Sequence, residues 1–283
     1  MSRREFLLAG AGLAVATACG GKGDDDGVVA KVSDPTGSTA ARGLNLVVAT
    51  YYHVAGIDER VTAAIINAEG SGSVALDGPV QLTIDGQPVE STIHQDGIPL
   101  PYLLAYHRFA APGVAELGVT FKGRTGTAAI EVVDPSALKV PIPGKPMIAA
   151  PSPTSADTLG VDPICTADPI CPMHEVGLDA ALAEKRPLAV LFSTPARCQS
   201  RLCGPVLDTL VAQRAAFADR VRFLHVEIYK ARTGTELAPT VDAYALAQEP
   251  VLFLAGDDGI VRERLDNAYD RVEAQAALER LVS

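Results

Sequence analysis

Tryptophan is absent from this chain of 283 residues, and aromatic residues of all kinds make up only 5% of it. Basic residues are in the minority, because 24 Lys and Arg stand against 34 Asp and Glu and leave a formal net charge of −10. The sequence has no run of Lys or Arg, so it lacks the clustered positive face that neutralises several phosphates. We therefore expect no nucleic-acid partner.

Long apolar runs are missing beyond the first 19 residues, so the remainder contains no predicted membrane-spanning helix. Residues 1–19 carry Arg3 and Arg4 before an apolar stretch, a pattern that resembles a twin-arginine export signal. Cys19 follows this stretch and resembles the lipid-modified cysteine of bacterial lipoproteins. The alternative is cleavage after Ala18, which would release a soluble product. We expect export and a lipid anchor on the extracytoplasmic face of the cell membrane.

The composition of the next segments predicts a tether and two domains. Residues 20–42 are rich in Gly, Asp, Ser and Thr and have too little apolar surface to offset chain entropy, so they predict a flexible tether. Prolines are concentrated in residues 135–159, which we interpret as a semi-rigid linker. The linker divides the rest of the chain into two predicted domains, residues 43–134 and 160–283.

Residues 43–134 show short strand-like runs separated by turn residues. Alternation of apolar and polar side chains is clearest in residues 80–84, and Asp85 and Gly86, which follow, tolerate the positive φ of a hairpin turn. Several such strands at this spacing predict a β-sandwich. This segment has neither Cys nor Trp, so the sandwich resembles immunoglobulin-like domains in architecture and lacks the Cys, Trp, Cys pattern of antibody domains.

Residues 160–283 alternate between apolar runs typical of buried strands and segments with helical periodicity. The predicted strands are residues 188–192, 221–228, 251–254 and 260–265. The predicted helices are residues 176–184, 241–247 and 271–282, together with a helix that starts at Cys203 and carries an apolar face from Val206 to Phe217. A hairpin followed by a closing helix completes the pattern, which predicts an α/β domain with a mixed sheet.

Two thiols, Cys198 and Cys203, follow the apolar run at residues 188–192 and are separated by four residues. The second thiol opens Cys203-Gly204-Pro205 at the predicted start of a helix. Helix amides and the helix dipole favour thiolate over thiol at such a position, and the thiolate is the reactive form of cysteine. This pair is therefore the candidate redox site.

The order of these elements resembles the thioredoxin fold family over roughly residues 160–283. The resemblance rests on the Cys203-Gly204-Pro205 segment and on Pro250, which precedes a predicted strand. It implies that Pro250 is the cis-proline beside the active-site sulfurs. It also implies thiol-disulfide exchange, without a cofactor, with thiols or disulfides of extracytoplasmic proteins. Thioredoxins have a second cysteine where this chain has Val206, and here the second thiol lies upstream at Cys198.

The roles of the two thiols stay open at this point. Cys203 can be the nucleophile that Cys198 resolves, which its helix-start position favours, or Cys198 can be an exposed nucleophile. A permanent disulfide in a non-catalytic binding or scaffold module is the alternative, since a loop this short contributes about 2 kcal/mol to stability. Glu227, near the end of a predicted strand, is either a proton relay for exchange or a solvated strand end.

The other two thiols, Cys165 and Cys171, lie among prolines and have no helix start beside them. We expect a structural disulfide between them, with a redox relay to the first pair as the alternative.

Metal ligation and peroxide chemistry are less favoured. Cys171 and His174, joined by Cys198 and Cys203, loosely resemble the copper ligands of Sco-type proteins. Ser200 stands three residues before Cys203, as in peroxiredoxins. We expect no metal, because His53, His94 and His107 occur singly and His225 suits a hydrogen-bonded place in a core strand.

Overall fold

The computed structural model describes residues 43–67 and 72–283. All of them belong to one compact unit, Ser38–Ser283. The export signal, Cys19 and the tether at residues 20–42 lie outside the described residues and stay predictions. Within the described ranges, no helix combines the length and the apolar character needed to cross a membrane.

Nine strands in the described N-terminal half form two sheets that face each other. They are β1 (Asn45–Val48), β2 (His53–Val54), β3 (Asp58–Ile66), β4 (Val80–Ile84), β5 (Gln87–Val89), β6 (Thr92–His94), β7 (Tyr102–Arg108), β8 (Gly113–Phe121) and β9 (Arg124–Val133). One sheet has the order β1-β3-β7-β6 and the other β2-β9-β8-β4-β5. Buried side chains of both sheets form a single core, so the predicted sandwich is present.

The hairpin between β4 and β5 agrees with its prediction in detail. Asp85 has a φ of 49° and Gly86 a φ of 73°, so both turn residues adopt the left-handed conformation that a two-residue hairpin of this type requires. Strand β7 was not predicted, because its first four residues, from Tyr102 onward, are all apolar and show no alternation of apolar and polar side chains. That run is buried on both faces of its sheet.

The C-terminal half has a mixed sheet covered by helices. Its strands are β10 (Leu188–Ser193), β11 (Arg222–Glu227), β12 (Val251–Ala255) and β13 (Val261–Asp266), and its helices are α1 (Leu178–Ala183), α2 (Cys203–Phe217), α3 (Pro239–Tyr244) and α4 (Arg271–Leu281). The sheet order is β11-β10-β12-β13. Strand β10 runs parallel to β11 and antiparallel to β12, so the α/β layout with a mixed sheet is confirmed.

Strand β10 is apolar throughout because both of its faces are covered. Leu188, Val190 and Phe192 pack in the cluster that includes α1 and α3. Ala189 and Leu191 point the other way and pack in the cluster that includes α2 and α4. The twofold alternation of a strand thus divides the core into two layers with the sheet between them.

The proline-rich segment at residues 135–159 packs against the α/β half instead of spanning open space. Val140, Ile142 and Met147 are buried, and the first and last of these belong to the α1 and α3 layer of the core. The amide of Met147 donates to the carbonyl oxygen of Gly259 at 2.9 Å. The segment differs in this way from the spacer that its prolines predicted, because its intervening apolar residues have a core to join. The domain boundaries themselves stay predictions.

The two halves meet at a buried polar junction. Arg60 of β3 forms an ion pair with Glu273 of α4, with Nε and Oε1 2.5 Å apart. Beside it, a small apolar cluster joins Tyr102 of β7 to Leu202, the residue before the start of α2. The sandwich therefore contacts the α/β half directly next to the candidate redox site.

Candidate functional site

Cys198 and Cys203 form a disulfide at the start of α2, as expected from the sequence. Strand β10 ends at Ser193, and the loop that follows carries Cys198 back to the first turn of the helix. The Cα atoms of the two cysteines are 5.8 Å apart, within the usual range for a disulfide. A strand feeding a helix start thus positions both sulfurs.

The two sulfurs differ in exposure and in hydrogen bonding. Cys203 is fully buried, whereas Cys198 is half-buried. The backbone amide of Cys203 donates to the Cys198 sulfur at 3.2 Å, and the Ser200 hydroxyl lies 3.2 Å from the same sulfur. The free amide of the helix start therefore favours negative charge on Cys198. Of the two alternatives for the nucleophile, this geometry favours Cys198, although helix-start position alone had favoured Cys203.

Glu249 and Pro250 lie beside the disulfide. The Glu249–Pro250 peptide bond is cis, as the resemblance to thioredoxins implied. A carboxylate oxygen of Glu249 and the sulfurs of Cys198 and Cys203 all lie within 4.8 Å of one another. Burial raises the pKa of Glu249, and the neighbouring Glu227 raises it further, while Arg197 opposes both. Sequence analysis missed Glu249, for which the sole indication was its place directly before Pro250.

Glu227 is not at a solvated strand end, which was one of the two interpretations of its sequence position. Its side chain is buried at the end of β11, and its Oε2 accepts hydrogen bonds from the Thr166 amide at 2.8 Å and hydroxyl at 2.9 Å. The Thr166 hydroxyl in turn accepts from the amide of Ala196 at 3.1 Å. Glu227 therefore ties two loops together, and Glu249 is the carboxyl group found within 4.8 Å of both sulfurs.

The second thiol pair does not form the predicted bridge. Cys165 and Cys171 are free and buried, and each sulfur faces an imidazole. The Cys165 sulfur is 3.6 Å and the Cys171 sulfur 3.4 Å from Nδ1 of His225, and Cys171 is also 3.2 Å from Nε2 of His174. The expected structural disulfide is thus corrected to a cluster of two cysteines and two histidines. The loop that carries Cys165, Cys171 and His174 packs against β11, which supplies His225.

The two thiols of this cluster affect each other's ionisation. The hydrogen bond with Cys171 lowers the pKa of Cys165, and burial opposes this while both imidazoles lower the pKa further. The same hydrogen bond, together with burial, raises the pKa of Cys171. A pair of buried thiols that share a hydrogen bond in this way favours a single negative charge.

His225 is buried and hydrogen-bonded in β11, as the sequence indicated, and it also faces the sulfurs of Cys165 and Cys171. Its Nε2 lies 3.1 Å from the carbonyl oxygen and 2.9 Å from the hydroxyl of Ser193. A carbonyl oxygen only accepts, so Nε2 carries the proton and Nδ1 presents a lone pair to the two sulfurs. The ligands considered for copper are not brought together, because Cys171 and His174 join Cys165 and His225 whereas Cys198 and Cys203 lie with Glu249.

The sandwich contributes contacts at the edge of the candidate redox site. The Tyr51 hydroxyl donates to the carbonyl oxygen of Glu249 at 2.7 Å, and the amide of Ala247 donates to the Tyr52 hydroxyl at 3.2 Å. Both tyrosines lie just before β2. They hold the backbone that places Glu249 and Pro250 beside the disulfide, a contribution that no sequence pattern indicated.

Comparisons with known proteins give weak structural likenesses alone. No family model and no curated protein matches this chain. Similar solved structures include a domain described as the C-terminal domain of a thiol-disulfide oxidoreductase from Bacteroides thetaiotaomicron, with a TM-score of 0.32, 11% identity, and coverage of 50% of this chain and 96% of that one. The filamin domain of Lin-41 has a TM-score of 0.23, 16% identity, and coverage of 31% and 90%. The PKD domain of the human receptor SorCS2 has a TM-score of 0.18, 19% identity, and coverage of 42% and 98%. Likenesses at these TM-scores carry no argument about function.

Proposed function

We propose that this protein exchanges disulfides with the thiols or disulfides of extracytoplasmic proteins, as an exported protein anchored to the membrane through Cys19. The observation that carries the proposal is the Cys198–Cys203 disulfide at the start of α2, in which Cys198 is half-buried and a carboxylate oxygen of Glu249 lies within 4.8 Å of both sulfurs. A structural bridge has no need of an adjacent acid, whereas exchange does, because the leaving thiolate must be protonated.

The first step starts from the disulfide form of the protein. A substrate thiolate attacks the half-buried sulfur of Cys198, forms a mixed disulfide with it, and breaks the Cys198–Cys203 bond. The electron pair of that bond leaves on the Cys203 sulfur, which is fully buried. A buried thiolate is costly, so a proton from the Glu249 carboxyl group neutralises it.

The second step resolves the mixed disulfide and releases the protein from the substrate. A second substrate thiolate attacks the substrate sulfur, closes the substrate disulfide, and releases Cys198 as a thiolate. The Cys203 amide, 3.2 Å away, stabilises that negative charge. The substrate is thereby oxidised and the protein reduced by the same two electrons. The reverse sequence of steps reduces a substrate disulfide.

Trapping of the mixed disulfide tests the assignment of roles. Cys203→Ser should accumulate a mixed disulfide with an oxidised model peptide, because Cys198 still attacks but nothing resolves the adduct. Cys198→Ser should accumulate little, because Cys203, the remaining thiol of the pair, is fully buried. Equal trapping by the two variants, or trapping by Cys198→Ser alone, would contradict the proposal. Mass spectrometry of the non-reduced proteins measures both outcomes.

Glu249→Gln tests the proton donor. This variant keeps the shape of the side chain but cannot transfer a proton, so exchange should slow by roughly 100- to 10,000-fold and lose its dependence on the titration of the carboxyl group. Glu131→Gln, at an exposed position of β9, is the matched control and should leave the rate unchanged.

The reduction potential of the Cys198–Cys203 couple separates exchange from a scaffold function. A potential of about −120 to −270 mV is expected for an exchanging pair. A potential well below about −300 mV, together with no trapping, would instead support a binding or scaffold module with a permanent disulfide.

A further inference from the structure

A cluster of four buried side chains lies on the α2 and α4 side of the sheet, apart from the redox disulfide. Cys165, Cys171 and His174 belong to the loop that precedes α1, and His225 belongs to β11. Their exposed fractions are 2%, 7%, 3% and 2%. One donor atom from each residue lies within 4.8 Å of the other three. The four residues thus offer two sulfur and two nitrogen donors around one point.

The spacing of these donor atoms fits a tetrahedral ion. Zinc binds thiolate sulfur at about 2.3 Å and imidazole nitrogen at about 2.0 Å, so neighbouring ligand atoms of a tetrahedron lie about 3.3 to 3.8 Å apart. Of the four sulfur-to-nitrogen pairs, Cys171 with His174, Cys171 with His225 and Cys165 with His225 lie at 3.2, 3.4 and 3.6 Å. Little movement is therefore needed for all four atoms to contact a single ion.

The hydrogen bonds of His225 prepare it as a ligand. Because Nε2 donates to the carbonyl oxygen of Ser193 at 3.1 Å, the unprotonated Nδ1 points at the sulfurs. A second hydrogen bond that fixes the tautomer in this way accompanies most histidine ligands of metals. Charge also fits a buried site, since the two negative charges of two thiolates, with two neutral imidazoles, balance a divalent cation.

We propose that Cys165, Cys171, His174 and His225 bind one zinc ion in a closed, structural site. Binding forms two zinc–sulfur and two zinc–nitrogen bonds and releases the two thiol protons to solvent. Four protein ligands leave no open position, which is the arrangement of a structural zinc site and not of a catalytic one. A tetrahedral set of two sulfurs and two nitrogens is also the set that zinc favours.

The ion would fasten the ligand-bearing loop to the sheet and, through it, support the redox loop. The loop already contacts β11 through the amide of His225, which donates to the carbonyl oxygen of Met173 at 2.9 Å. Thr166, next to Cys165, bonds both Glu227 and the amide of Ala196, two residues before Cys198. Removal of the ion should therefore loosen the segment that positions Cys198.

Metal analysis of the purified full-length protein tests the proposal. Elemental analysis should find one zinc per chain, and replacement by Co²⁺ should give the intense visible absorption of tetrahedral cobalt with thiolate ligands. His174→Ala should lose the metal, whereas His174→Cys should retain it, because three cysteines and one histidine also form a structural zinc site. Cys198→Ser with Cys203→Ser is the matched control, which removes two thiols and should keep the full zinc content.

Three results would overturn the proposal. The first is a protein without metal in which mass spectrometry shows a Cys165–Cys171 disulfide. The second is copper in place of zinc at this cluster. The third is equal zinc content in His174→Ala and the unmodified protein, which would place the ion elsewhere. The experiment is independent of disulfide exchange, so a failure of one proposal leaves the other standing.

Discussion

The buried ion pair between Arg60 and Glu273 gives a sharp prediction about stability. Both side chains are almost fully enclosed, at 6% and 2% exposure, and the guanidinium makes two contacts with the carboxylate, at 2.5 and 2.8 Å. The Tyr102 hydroxyl also donates to this carboxylate, and the carbonyl oxygens of Asp266 and Ala268 accept from the guanidinium. The pair joins the sandwich to α4, so its loss affects both halves.

Removal of one partner should be far more costly than removal of both. In Glu273→Leu the charge of Arg60 stays buried without its partner, and a buried pair broken in this way loses about 3 to 5 kcal/mol. The two backbone carbonyl contacts of Arg60 survive, so we expect the lower part of that range, about 3 kcal/mol. The double variant Arg60→Met with Glu273→Leu replaces both charges by apolar groups and should recover most of the loss.

Urea denaturation of the single and double variants measures these free energies as a double-mutant cycle. Asp58→Ala is the control, because its ion pair with Arg108 is exposed, at 73% and 60%, and should contribute less than about 1 kcal/mol. The reasoning is refuted if Glu273→Leu costs no more than Asp58→Ala, or if the effects of the two single variants simply add in the double variant.

Three further predictions concern pH, backbone packing and a helix cap. Burial raises the pKa of Glu59 from 4.5 to about 7, so the stability that its neutral form contributes is full below pH 4.5 and is lost as the pH rises through 7. Relative to the wild type, Glu59→Gln should therefore gain roughly 2 to 3 kcal/mol between pH 4.5 and 7 in urea denaturation, and parallel curves would contradict this. Gly126→Ala should lower stability by about 1 to 3 kcal/mol, because its Cβ would lie 2.3 Å from a backbone carbonyl oxygen, and an unchanged urea midpoint would count against it. Asp270→Ala should cost about 2 to 4 kcal/mol, because one carboxylate oxygen caps α4 by accepting from the Glu273 amide and the other accepts from the amides of Gln95 and Asp96. Asp270→Asn should also cost at least about 1 kcal/mol, since its side chain has one acceptor oxygen and its NH2 group would face a backbone N–H. Thermal unfolding measures both losses, and an Asn variant as stable as the wild type would contradict this reasoning.

The elements that depend on local pattern could be predicted from the sequence. Strand β10 was predicted because a strand covered on both faces is apolar at every position, and the turn at Asp85 and Gly86 was predicted because few residues tolerate positive φ. Arg60 could not be recognised as a buried charge, because its partner Glu273 lies 213 residues away. The sequence pattern of β3 alone gives no indication of which face meets another domain.

The cluster of two cysteines and two histidines was not predicted, because its members also come from segments that are far apart in sequence. Cys165 and Cys171 are close in sequence and lie among prolines, so a local interpretation paired them with each other. The imidazole that both sulfurs face, His225, is supplied by a strand about 60 residues later, and only the packing of the loop against β11 brings its Nδ1 to both sulfurs. The carboxyl group beside the Cys198–Cys203 disulfide was missed for the same reason, because Glu249 comes near the two sulfurs only once the segment around Pro250 is packed against them.

Cys198 and Cys203 form a disulfide whereas Cys165 and Cys171 do not, and the surroundings of the two pairs account for this difference. Conditions that oxidise Cys198 and Cys203 would also favour a bond between Cys165 and Cys171, whose sulfurs lie within 4.8 Å of each other and are enclosed with two imidazoles. Accessibility explains part of the difference, because exchange needs an exposed sulfur and Cys198 is the least buried of the four. Zinc coordination would account for the remaining part of the difference, since thiolates bound to zinc are held by the ion and do not form a disulfide with each other. A metal bound by the second pair would in this way let one chain keep an oxidised pair and a reduced pair together.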